Sequence, residues 1–361
     1  MKPIRLGLTI ALSVSLSVPC ALAGVIVVDP GGGGDFDSIP EAAFHAAADD
    51  TVLVMPGTYV VAAGGTYPWP IPLDGETPTF ISDGGAGVTT IDGDGSTAAF
   101  SVAESANGAR LSIQGFTFSL QTGVIHRDYP SYPGGPIRFE DNVVVGPTGY
   151  GTALSAGSGA GSLIARSVFT GTGGTGISFG GEGVIEDNEV SGYECGISSG
   201  ELTLVRRNQV HDCTQIGIVS YGSLTASDNV IENNEWFGIA LDGGFYLEGN
   251  VIRSNGTGIA WPFVPLGILE GYAHLNDICD NGTNMRTPEI MYSWEFDATM
   301  NWWGTADPEE IAAGIYDCND PPWGGAGCVV FAPWCTAPIP ECNPTAVSEL
   351  SSWGVIKAIY R

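Results

Sequence analysis

Positive charge is scarce in this sequence. Lysine and arginine together number 12 against 40 acidic residues, a formal net charge of −28 over 361 residues. So acidic a chain cannot neutralise a run of phosphates, which excludes nucleic acid as a partner and argues against anionic membrane surfaces. Long apolar runs are scarce too. Beyond the N-terminus none reaches the roughly 18–20 residues that a membrane span needs. No Cys-x-x-C pair occurs, so no zinc site is expected.

The N-terminus points to export. Lys2 and Arg5 precede an apolar run from Leu6 to Val18, and Ala21-Leu22-Ala23 offers an A-x-A cleavage site. Residues 1–23 are expected to be a signal peptide, 24–342 the folded domain, and 343–361 a spacer with a C-terminal sorting tail. The expected location is outside a bacterium, secreted or on its surface. Export permits disulfides. Cys318 and Cys328, like Cys335 and Cys342, suit short loops. Cys195 and Cys213 fall on adjacent repeats and are also open to pairing, since connectivity is not readable from spacing.

What the sequence does have is a repeat. Gly-Ile recurs at Gly176, Gly196, Gly217, Gly238 and Gly258, in steps of 20, 21, 21 and 20 residues. Asn-x-Val/Ile recurs at Asn188, Asn208, Asn229 and Asn250, each time 12 residues after the glycine. Asn276 continues that marker after a six-residue excess. Between the markers apolar residues alternate, as in Leu202-Thr203-Leu204 and Phe245-Tyr246-Leu247, which is the period of a strand with one face inward. Twenty residues make three short strands and their turns. One such rung buries almost nothing alone, so rungs must stack and both ends must be capped. The expected fold is all-β: a right-handed parallel β-helix of 20–21 residues per rung with short capping helices. A leucine-rich repeat has a similar period, but leucine is sparse here and the return segments carry no helical pattern.

Asparagine tolerates left-handed backbone angles and bonds neighbouring backbone at sharp bends. Asn188, Asn208, Asn229, Asn250 and Asn276 are therefore expected to form a structural ladder. For the caps, Ser38-Ile39-Pro40-Glu41 is a capping box opening a helix to about Ala48, and Asp307-Pro308-Glu309-Glu310 opens a second helix to about Gly314.

The stretch from Val27-Val28-Asp29 through Asp35-Phe36, Ser38-Ile39 and Glu41-Ala42 to Pro56-Gly57-Thr58-Tyr59 resembles the opening segment of pectate-lyase-like β-helix proteins. The Gly-Ile and Asn-x-Ile rungs resemble the repeats of that superfamily, and Asn301-Trp302-Trp303-Gly304 resembles a closing segment of its secreted members. The resemblance implies that the Gly-Ile strands border a carbohydrate groove and that the asparagines mark the turn between the second and third sheets. It implies no particular activity. The Gln-Asp-Thr-Leu stretch of pectin methylesterases and the Asp-Pro-His-Asp signature of alginate epimerases are both absent.

In this register Glu194, Gln215 and Trp236 stand two places before successive glycines, and Gly200, Tyr221 and Asp242 four places after them. The rung after Gly258 carries the excess, with Trp261 and Phe263 in it. Glu194, Tyr221, Trp236, Asp242 and Trp261 are the candidate substrate-binding residues, since aromatic faces beside carboxylates suit sugar rings. For hydrolysis Glu194, Glu235 and Asp242 could supply a carboxyl pair, but spacing selects none. His126-Arg127-Asp128 is a compact titratable triplet that could converge only in a loop. Asp92-Gly93-Asp94 fails the EF-hand pattern, with Thr97 and Ala103 where glycine and glutamate belong. No cofactor is expected, and no motif supports calcium. The favoured reading is a polysaccharide-binding protein, with processing of the polymer left open. The alternatives are a non-catalytic surface or adhesive scaffold and a lyase or hydrolase. A monomer is expected.

Overall fold

The computed structural model describes residues 23–342, apart from 62–65, 68, 74–76, 94–97, 103–109, 121, 128–134, 158–159, 263–269, 289–293 and 321–326. Most of the expected signal peptide and all of the expected tail lie outside the described residues.

Strands come in threes. From strand Thr51–Val54 to strand Trp294–Asp297 every third strand joins the same sheet, and every pairing is parallel, which makes a sheet of thirteen strands, one of ten and one of eight among the described residues. A three-stranded sheet (Ile71–Leu73, Phe100–Val102, Ile125–Arg127) leads into the eight-stranded one. The chain is thus an all-β right-handed parallel β-helix with short helices. One rung runs Cys195–Gly200, Thr203–Arg206, Gln209–His211, and the next begins at Ile216.

The core is three inward columns. Ile177, Ile197, Ile218, Ile239 and Ile259 are register partners in the eight-stranded sheet, and each is fully buried. Val190, Val210, Ile231 and Ile252 do the same in the ten-stranded sheet, and Ile164, Ile185, Val205, Ala226 and Leu247 in the thirteen-stranded one. Burying one such aliphatic side chain stabilises by about 1.5–3 kcal/mol. Every rung therefore depends on its neighbours.

The glycine of each Gly-Ile pair answers to close approach. A Cβ on Gly196 would lie 2.6 Å from Val210 Cγ1 and 2.7 Å from the carbonyl oxygen of Gly217. No side chain fits there, so the place is glycine on five successive rungs, from Gly176 to Gly258.

From Asp141-Asn142 to Leu275-Asn276 the corner between the thirteen- and ten-stranded sheets is two residues long. The first holds a left-handed backbone: Asp141, Arg166, Asp187, Arg207 and Asp228 have φ of 57°, 50°, 56°, 53° and 56°. The second is the ladder residue. Asn188 Nδ2 donates to Asn208 Oδ1 at 3.0 Å, and the chain continues through Asn229, Asn250, Asn276 and Asn301 at 2.9–3.0 Å per step. A second ladder lines the next corner, from Asn234 to Asn255 to Asn281 at 2.9 and 3.0 Å. Its members follow the first ladder by five residues each, a spacing visible in the sequence.

The caps differ slightly from expectation. The first helix, α1 (Ile39–His45), has Ser38 accepting from the Glu41 amide but stops short of Ala48, where the backbone turns extended at Ala46. The second, α2 (Pro308–Ala313), is capped by Asp307. Asn301 is the last rung of the first ladder, which explains the asparagine of the closing motif.

Disulfides join Cys318 to Cys328 and Cys335 to Cys342. Cys195 and Cys213 are free, against the pairing that adjacent rungs allow. Their thiols turn to different carbonyls, Cys195 Sγ to Ile197 O and Cys213 Sγ to His211 O, and Cys213 is buried in the core.

Candidate functional site

The outer face of the eight-stranded sheet is built by strand alternation opposite the isoleucines. Its central outward column runs Ser155, Ser178, Ser198, Val219, Ala240, Ala260, Arg286, Tyr316. The serines are half-buried, the three small apolar residues are buried, and Arg286 is exposed. The face thus grades from hydroxyls through a closed apolar floor to a cation. Arg286 Cζ lies 5.1 Å from the Tyr316 ring centroid, a cation–π arrangement.

The proposed contact residues stand at the two edges of this face. Glu194, Gln215 and Trp236 stack on consecutive rungs at the edge where the strands begin, joined by the Gln215 amide donating to Glu194 O and the Trp236 amide to Gln215 O. Trp236 is 52% exposed. Tyr221 stands at the other edge, in register with Gly200, and is 59% exposed. Asp242 holds the same place one rung on. The Tyr221 hydroxyl is pushed above its ordinary pKa, first by partial burial and then by Cys195 and Asp242 nearby.

Trp261 is corrected by the structure. It is only 5% exposed, and its ring packs against Phe245 and Phe296 at centroid distances of 5.1 and 4.7 Å. The tryptophan directly follows strand Thr257–Ala260 on an inward place, three after the glycine, the place of Phe179, Ser199, Ser220 and Leu241. It fills the solenoid and offers no face to a ligand. Phe263 lies outside the described residues.

The geometry also sorts the carboxylates. Glu235 and Asp242 flank opposite ends of strand Phe237–Leu241, whose five residues span roughly 16 Å. A hydrolytic pair needs about 5–9.5 Å. Glu194 and Glu235 share an edge, two rungs apart. Among the described residues no cluster of three or more metal-binding side chains forms, and no helix is long and apolar enough to cross a membrane. His126 and Arg127 lie on a strand rather than a loop, and Asp128 is outside the described residues.

Arg286 and Tyr316 were missed from sequence. The signal was present: Thr283-Asn284-Met285 keeps step with Thr257-Gly258-Ile259, eight residues after Asn276 as Gly258 is eight after Asn250. Asparagine in place of glycine hid it.

Residues 131–261 match the family model described as a right-handed β-helix region. Among solved structures, the chain resembles the A-module of the mannuronan C-5 epimerase AlgE4 from Azotobacter vinelandii, with 16% identity over 81% of this chain and 87% of that one, at a TM-score of 0.51. The AlgE6 A-module from the same organism gives 18% identity over 70% of this chain and 74% of that one, at 0.40. At such identity the AlgE4 likeness shows the fold alone. No curated protein sequence matches.

Proposed function

We propose that this protein binds a polysaccharide along the outer face of its eight-stranded sheet. The observation that carries the reading is that Trp236 and Tyr221 project into solvent from adjacent rungs at the two edges of one face. Carboxylate and amide groups of Glu194, Gln215 and Asp242 stand in the same columns. Exposed aromatic rings on a rigid sheet cover C–H faces of sugars, and neighbouring polar groups take their hydroxyls. The carboxylates of Glu194 and Asp242 at its edges favour a neutral polymer on this face, since a polyanion would be repelled there.

Binding fits better than cleavage. Asp242 stands across the face from Glu194 and Glu235, those two are separated by two rungs, roughly 10 Å, and the one described cation in the central outward column, Arg286, sits at its far end. Epimerase chemistry, which the AlgE4 A-module's name states for that protein, would need a base and an acid about one sugar. The test is affinity electrophoresis against neutral and uronate polysaccharides. Trp236→Ala and Tyr221→Ala should each weaken retardation by about tenfold, as truncating an aromatic anchor does. Retardation unchanged in both variants would remove the reading, and release of reducing or unsaturated sugars would turn it into an enzyme.

A further inference from the structure

A separate pocket of about 420 Å³ opens on the outer face of the thirteen-stranded sheet, near its N-terminal end. It shares no residue with the face described above. Thr79, Ser112 and Arg138 are register partners on three successive rungs, so two hydroxyls and a guanidinium form one outward column at about 4.8 Å per step. Arg110 lines the same pocket from just ahead of strand Leu111–Gln114, and Asp49, after α1, lines it from the N-terminal cap.

The charges are unequal in their commitments. Arg138 spends its Nε on Glu140 at 2.9 Å and is 55% exposed. The Arg110 guanidinium has no ion pair or hydrogen bond among the described residues. The whole chain has 12 basic residues, and two of them meet in this pocket. A free guanidinium presents a planar fork that matches a carboxylate in two parallel hydrogen bonds.

The geometry points to a binding site for a carboxylate-bearing sugar, a uronate, with its acid on Arg110 and its hydroxyls on Thr79, Ser112 and Asp49. Asp49 decides against a compact anion. Its carboxylate repels phosphate, but it accepts from a sugar hydroxyl and so fixes which end of the ligand meets the arginine. The volume also suits a small sugar rather than a single ion, being within the ordinary range of ligand pockets, about 300–1,000 Å³. The site stands on its own geometry, whatever occupies the Gly-Ile face.

The experiment is a titration of the intact protein with digalacturonate, with the neutral disaccharide of the same linkage, and with inorganic phosphate, followed by backbone amide NMR and calorimetry. Digalacturonate should shift the amides of Thr79 and Ser112, and Arg110→Gln should weaken it by about tenfold, the loss of a charge-assisted pair. Arg110→Gln should keep the parent melting temperature, because that side chain supports nothing in the fold. Equal affinity in the variant, equal binding of the neutral sugar, shifts confined to other strands, or phosphate bound as tightly as the uronate would each overturn the assignment.

Discussion

Asn229 Oδ1 receives two hydrogen bonds from Asn208, the backbone amide at 2.9 Å and Nδ2 at 3.0 Å. One oxygen therefore satisfies two buried donors of the rung before it, while Asn229 Nδ2 covers the carbonyl of Val205 at 2.9 Å. The ladder is a backbone-satisfaction device in which each member serves its neighbour.

Replacing Asn229 with leucine strands those groups in a dry corner. Buried unpaired groups cost about 1–3 kcal/mol each, so Asn229→Leu should lose several kcal/mol by urea unfolding. Asn229→Ser should lose less, because the Ser167 hydroxyl already accepts the Asn142 amide at 3.1 Å in the same ladder.

Gly217→Ala should destabilise strongly. The added carbon would stand 2.7 Å from the Gly238 carbonyl oxygen and 2.8 Å from Asn234 Nδ2. Gly87→Ala, where nothing lies within 4 Å, should leave the melting temperature within a degree or two of the parent. Thermal melts of the two variants side by side make the comparison.

The two tryptophans should separate by phenotype. Trp261→Ala empties a core site and should cost about 3–5 kcal/mol. Trp236→Ala, half exposed, should cost well under 1 kcal/mol and act on ligand binding instead. Chemical denaturation distinguishes them.

Acid should loosen the corner charges. Arg166 holds the Asp141 carboxyl at 2.8 Å and Arg207 holds that of Asp187 at 2.9 Å. Both carboxyls sit below their ordinary pKa, Asp141 through Arg166 first and Asp187 through Arg207 first. A lowered folded pKa gives stability that is present above the unfolded value and lost as pH falls through the folded one. Stability should decline from about pH 4 downward. The pairs are exposed, so the loss is modest, and Arg166→Gln with Arg207→Gln should flatten it. Asp277 works in the opposite direction, its carboxyl raised by burial.

Thiol chemistry should report folding. Burial pushes the Cys213 thiol up to about 12 and the Cys279 thiol up to about 11. Only thiolate is alkylated, so iodoacetamide at about pH 8 should label Cys213 only after unfolding. Labelling of Cys213 in the native protein at the unfolded rate would contradict its place in the core.

Much of the fold was legible because stacking forces register. An inward apolar residue must lie on another, so the step of 20–21 residues had to show in the chain. The first ladder was legible for the same reason. The second was in view too, five residues behind, but it begins only at Asn234, because Tyr193 and Cys213 hold its place on the two rungs before. Trp261 was misplaced because the six-residue excess drew it into a loop, although its distance from Gly258 put it in the inward column of Leu241. Ligand chemistry was least legible. Outward places are not constrained by neighbours above and below, so serine, valine, alanine and arginine share one column without a pattern.

The corners differ in what they tolerate. Two residues, no more, join the thirteen-stranded sheet to the ten-stranded one at every turn from Asp141-Asn142 to Leu275-Asn276. Past the Gly-Ile strand, length is free: 12 residues run from Gly238 to Asn250 and 18 from Gly258 to Asn276. That elbow is where foreign peptide can be grafted and where lineages can lengthen or trim the chain, acquiring new specificity while the scaffold beneath keeps its pitch.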